Sequence, residues 1–199
     1  ENCMKAIHYG CTSVMFDGSS LPYEENVAIT KKVIEAAHAC GVTVEAEIGH
    51  VSGHEGNMLD GNVADQSAFT TVEEAKKFYE DTGVDCLAVA IGTVHGVYNG
   101  TPHLDLERLL AIRKALPIPI VIHGGSGLTK EDYKNMVAHG ANKINFFTAM
   151  TLEAAGAVRR LLNEKEKLTM TDIINAGQSA AEEVVSEHIE VFGTLPLSC

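Results

Sequence analysis

His95 and His123 each close an apolar run and are each followed by glycine, in Ala-Val-Ala-Ile-Gly-Thr-Val-His-Gly (88–96) and Ile-Val-Ile-His-Gly-Gly-Ser-Gly (120–127). Runs of this kind fill parallel strands buried on both faces. In barrel enzymes, chemistry collects at the carboxyl ends of such strands. Two imidazoles delivered there from successive strands can share one metal ion. Imidazole is a common zinc ligand, and catalytic sites usually leave one coordination position open. A single strand-end histidine is equally a rim cap; the pair, each in a glycine context, points to metal. Gly124-Gly125-Ser126-Gly127 lies between a strand and a helix. Glycines there let backbone N–H groups converge on an anion, and the helix start adds its dipole. Asn145 and Thr148, at the end of the next strand, can add polar contacts, although turn chemistry alone also explains them.

Asp17 and Glu47 also end strands, where carboxylates can bind metal, orient ligands or move protons. Glu45 and Glu47 share a face by strand periodicity, so only one is expected at the rim, and Gly49 nearby favours Glu47. Glu55 sits in a long glycine-rich loop and is a candidate proton carrier. His50 and His54 share that loop and read as solvated. The helical His8, His38, His139 and His188 carry no assigned role.

The elements that must position these groups alternate. Strands are expected at 13–17, 43–48, 86–91, 118–123 and 143–146. Helices are expected at 26–40, 71–82, 104–115, 129–139, 151–167 and 169–188. Such alternation implies a parallel sheet covered by helices. The glycine fingerprint of a dinucleotide site is absent. A (β/α)8 TIM barrel typically needs about 250 residues, and this chain has 199. Residues 1–199 therefore read as a single domain: the last five strand–helix units of a barrel, followed by C-terminal helices.

The net charge of -12 argues against nucleic acid or an anionic membrane as partner. It also means that an anionic substrate must be held by local dipoles or a cation. Five cysteines lack any metal-binding spacing, which favours reduced thiols and a cytoplasmic location. No apolar run reaches membrane-spanning length. Lys143 is the one lysine near a strand that could form a Schiff base, and its expected place at a strand start puts it far from the rim.

Five stretches, 13–26, 44–49, 82–96, 120–127 and 143–145, occur in an order that resembles the class II, zinc-dependent fructose-bisphosphate and tagatose-bisphosphate aldolases. That family's fold is an eight-stranded barrel. The resemblance implies a lyase of carbohydrate metabolism and glycolysis that cleaves a ketose 1,6-bisphosphate to dihydroxyacetone phosphate and an aldehyde phosphate. It assigns His95 and His123 to zinc, Asp17 to a carboxylate near the metal, and Glu47 to a second or alternative metal position. Gly96, Gly124, Gly125, Ser126, Asn145 and Thr148 fall on the substrate-phosphate side, and the Gly96 and Gly124 loops can also hold a monovalent cation. Glu55 corresponds to a loop glutamate that assists proton transfer.

The family's Asp-His pair, which supplies the main acid–base and the remaining zinc ligand, is expected upstream of Glu1. These 199 residues alone are therefore expected to be inactive. Phe146, Phe147 and Ala149 replace polar residues of the fructose-bisphosphate members, which leaves the sugar open. A homodimer or homotetramer is expected. The competing readings are a metal-dependent phosphosugar epimerase or isomerase, and a truncated, non-catalytic barrel fragment.

Overall fold

The computed structural model describes residues 1–53, 64–96, 98 and 100–196. After a short helix α1 (Asn2–His8), five strands alternate with helices. They are β1 (Ser13–Phe16), α2 (Tyr23–His38), β2 (Thr43–Ile48), α3 (Val72–Thr82), β3 (Cys86–Val89), α4 (Leu106–Ala115), β4 (Ile120–Ile122), α5 (Lys130–Ala138) and β5 (Ala141–Ile144). Two helices follow, α6 (Thr148–Glu164) and α7 (Met170–Val191). All pairings are parallel and the sheet order β1-β2-β3-β4-β5 follows the chain. This is the arc that five units of a TIM barrel form.

Side chains alternate across each strand. Val44, Ala46 and Ile48 join the core beneath the helices, as do Leu87, Val89, Ile120 and Ile122. Against them pack Val27, Ile34 and Ala37 of α2, Phe78 of α3, Leu109 and Ile112 of α4, and Met136 of α5. Alternation leaves Glu45 and Glu47 on the opposite face.

Helix starts follow local chemistry. Thr71 with Glu74 and Thr129 with Asp132 form capping boxes on α3 and α5, and Thr169 with Asp172 does the same on α7. Each box satisfies two backbone N–H groups that the first turn leaves over.

Several boundaries differ from the sequence reading, among them three element starts. α2 begins at Tyr23 behind Pro22, with Glu24 and Glu25 in its first turn, where carboxylates favour the positive end of the helix. α6 begins at Thr148 rather than 151. β5 lies two residues earlier than expected, and its register with β4 slips between Ile120 and Val121. Among the described residues no helix is long and apolar enough to cross a membrane.

Candidate active site

The carboxyl ends of the strands open onto a cleft of about 580 Å³ whose lining includes Asp17, Glu47, His95, His123 and Asn145. The imidazoles of His95 and His123 lie with ring centroids 6.0 Å apart. Each is fixed by its backbone. The His95 N–H donates to Ser52 O at 2.8 Å, and His123 directly follows the buried β4.

Gly124 explains how the two segments come so close. Its φ is +69°, and a Cβ there would lie 2.5 Å from Val94 O and 2.6 Å from Val94 C. Only glycine combines that conformation with that approach.

Glu45 and Glu47 both reach His123. Nε2 of the imidazole lies 2.9 Å from Glu45 Oε1, and Nδ1 lies 2.8 Å from Glu47 Oε2. All three side chains are buried. The second contact is close but poorly aligned, so Glu47 Oε2 is a buried oxygen without a true hydrogen-bond partner. Burial alone would lower the His123 pKa, but the hydrogen bond to Glu45 and the close Glu47 carboxylate outweigh it and push it up to about 9. Burial would likewise raise the Glu45 pKa. The bonds from His123 and Lys143 overcome it and hold the carboxyl below its usual range.

Two expectations need correction here. Glu45 shares the face of Glu47 but is not excluded from the site, because the imidazole bridges both carboxylates. Lys143 is the third of four residues in β5 rather than its start, and its Nζ lies 2.6 Å from Glu45 Oε2. The ammonium is thus one carboxylate away from His123. The early start of β5 places Lys143 within the strand rather than at its beginning.

Asp17 stands just past β1 at the cleft, exposed, with Oδ1 accepting from Ser19 N–H at 2.9 Å. Gly96 is buried directly after His95. In the glycine loop, the Gly125 N–H donates to Asn145 O at 3.0 Å. A Cβ on Gly125 would lie 2.6 Å from that same oxygen. Gly125 therefore supplies close packing, and its donor is already used. Ser126 Oγ accepts from Phe147 N–H at 3.2 Å, tying this loop to the start of α6, where Thr148 is buried. α6 has no side-chain cap at that end. Glu55 and His54 lie outside the described residues.

Two tyrosines were not anticipated. Tyr133 Oη donates to Gly125 O at 2.6 Å and Tyr98 Oη donates to Gly124 O at 2.7 Å. Tyr98 was findable only as part of His-Gly-Val-Tyr, and its partner is 26 residues away.

The family model for fructose-bisphosphate aldolase class-II matches residues 1–195. The chain belongs to this family. A fructose-bisphosphate aldolase of Staphylococcus aureus (strain Mu50) is 42% identical over 195 residues, covering 98% of this chain and 67% of its own. The crystal structure of the YdjI aldolase from Escherichia coli K12 superposes with a TM-score of 0.81 at 32% identity, over 96% of this chain and 64% of that one. Fructose-bisphosphate aldolase from Campylobacter jejuni shares the fold, with a TM-score of 0.74 at 24% identity, over 98% of this chain and 65% of that one. The chain thus spans about two thirds of these relatives' length.

The donor set of the site suits a borderline divalent cation: two imidazoles, the buried Glu47 and the nearby Asp17. The orphaned Glu47 Oε2 is the oxygen such an ion would satisfy. Among the described residues no three histidine, cysteine or acidic side chains are placed to hold one metal ion together. The site is instead closed by His123 bridging two carboxylates, and a cation would replace the Nδ1 proton.

Proposed function

We propose that this chain carries the metal- and phosphate-binding part of a ketose-bisphosphate aldolase, with reversible cleavage to dihydroxyacetone phosphate and an aldehyde phosphate. The carrying observation is the 6.0 Å separation of the His95 and His123 rings in the cleft that Glu47 also lines, its buried Oε2 held only by the close contact with His123. His95, His123 and Glu47 would hold zinc, with Asp17 beside it. When bound, the metal supplies Lewis-acid stabilisation of the negative charge that develops on the substrate's carbonyl oxygen as the carbon–carbon bond opens.

The chain's own groups do the rest. Ser126 accepts from the Phe147 amide and keeps its hydroxyl proton to donate to a phosphate oxygen. Asn145 and the first turn of α6, which begins at Thr148, face the same anion, whose charge suits a helix start. Gly96 and Gly124 hold the backbone turns at either side. Anchoring the phosphate fixes the reacting carbons relative to the imidazoles, which converts binding into orientation. Glu55 is assigned the proton shuttle on family resemblance. Phe147 lines the cleft and is exposed, whereas the Phe146 ring stacks on His188 of α7 at 3.8 Å, and the exposed ring favours a sugar whose far end makes few polar contacts there. The exposed Leu162, Ile174 and Ile189 of α6 and α7 support assembly into a homodimer or homotetramer, and free thiols at Cys3, Cys11, Cys40 and Cys86 support a cytoplasmic setting.

The test uses the full-length protein and fructose 1,6-bisphosphate or tagatose 1,6-bisphosphate. His95→Ala and His123→Ala each lose bound zinc and carbon–carbon cleavage, read by metal analysis and by dihydroxyacetone phosphate release. Ser126→Ala raises KM several-fold. Wild-type turnover in either histidine variant would refute the metal role. Epimerised sugar without cleavage would select the epimerase reading instead.

A further inference from the structure

The Tyr98 hydroxyl sits between the two segments that carry His95 and His123. It accepts from the Val94 N–H at 3.1 Å and donates to Gly124 O at 2.7 Å. A phenol has one proton to give and lone pairs to receive, so both bonds are made at once. Val94 immediately precedes His95, and Gly124 immediately follows His123. The hydroxyl is therefore one residue from each imidazole along the chain.

The position matters because the sheet has stopped there. The ladder between β3 and β4 pairs Leu87 with Ile120 and Ala88 with Val121. Val94 lies six residues past the last pair on its side. The Tyr98 hydroxyl joins the two chains where the ladder no longer does. The ring packs with it: a Cβ on Gly127 would lie 3.3 Å from Tyr98 Cδ2, so the aromatic edge rests on the glycine loop. Gly124 lets the two backbones meet, and Tyr98 holds them there.

We infer that Tyr98 is a positioning residue: its hydroxyl sets the separation of His95 and His123 and holds the adjoining glycine loop against them. The inference rests on the metal reading above. Tyr98→Phe keeps the ring and removes only the bridge, leaving the buried Val94 amide and Gly124 carbonyl to lose a shared partner. Loss of a partner that orients metal ligands typically costs about 10–100-fold in affinity. A bridge acting through the backbone belongs at the low end, near tenfold.

The experiment titrates Co2+ into the full-length wild type, Tyr98→Phe and His95→Ala, and records the visible absorption of the bound ion. Amide hydrogen exchange at Val94 is followed in the metal-free proteins. In Tyr98→Phe, Co2+ is expected to bind roughly tenfold more weakly with a shifted absorption band, Val94 to exchange faster, and the melting transition to remain cooperative. A Co2+ affinity within twofold of wild type and an unchanged band would overturn the role of Tyr98. If the wild type takes up no Co2+, or His95→Ala binds it equally well, the metal reading itself fails. In that case faster Val94 exchange in Tyr98→Phe still supports the bridge, and unchanged exchange refutes it.

Discussion

Lys143→Met probes the network beneath the imidazoles. The pair it breaks is asymmetric: the Glu45 side chain is 4% exposed and the Lys143 side chain 52%. Breaking a fully buried pair costs about 3–5 kcal/mol, and an exposed pair is worth about 0.2–1 kcal/mol. With only the carboxylate buried and solvent able to reach the ammonium, the loss falls between these limits, about 1–3 kcal/mol. In a protein of this size that lowers Tm by about 2–12 °C.

The pH dependence has a definite sign. The Glu45 pKa in the folded protein lies below its ordinary value of 4.5. The stability it contributes is present above that value and is lost as pH falls through the folded pKa. The deficit of the variant is therefore full near neutrality and closes in acid, where Glu45 is protonated with or without its partner. Adding Glu45→Gln to Lys143→Met recovers part of the loss, because a neutral amide needs no ammonium. Differential scanning calorimetry at pH 7 and at a series of pH values descending below 4.5 reads all three. A Tm within 1 °C of wild type at pH 7, or a deficit that grows in acid, would sink the reasoning.

Gly124→Ala must carry an unfavourable left-handed backbone, about 1–2 kcal/mol, and also push Val94 aside, about 1–3 kcal/mol more. A urea midpoint equivalent to less than 0.5 kcal/mol of change would show that the two segments are not packed as described. Burial, helped by the Glu45 carboxylate, pushes the Cys86 thiol up from 9.0 to about 11, which cuts its thiolate fraction near neutrality about a hundredfold. Peptide mapping after iodoacetamide at pH 8 should find the exposed Cys11 and Cys40 labelled well before Cys86, and equal rates would contradict the burial.

Much of the fold was legible because its signals are local. The alternating Thr-Val-Glu-Ala-Glu-Ile at 43–48 and the apolar run at 86–91 could be little else than strands, and Thr71, Thr129 and Thr169 announce their helices through an acid three residues on. What the sequence did not disclose is relational. The slip between β4 and β5, just before the Val121–Lys143 pair, cannot be read from either strand alone. Periodicity correctly put Glu45 and Glu47 on one face, but the length of an imidazole, with a nitrogen at each side, is what lets both engage His123. The Tyr98 bridge joins residues four and 26 positions away and leaves no periodic trace. The histidines, glycines and Ser126 were visible as chemistry; how far apart the rings stand was not.

The sheet order repeats the chain order, so each strand finds its partner in the unit made just before or just after it. As the chain leaves the ribosome, β2 can dock on β1 and β3 on β2 without waiting for a distant segment to appear. Short closure distances make such pairings fast, and their capped helices can cover each new strand as it is added. The arc can thus assemble in the direction of synthesis. The cleft residues contributed by β1 and β2 are in place before His123 and the glycine loop arrive to complete it.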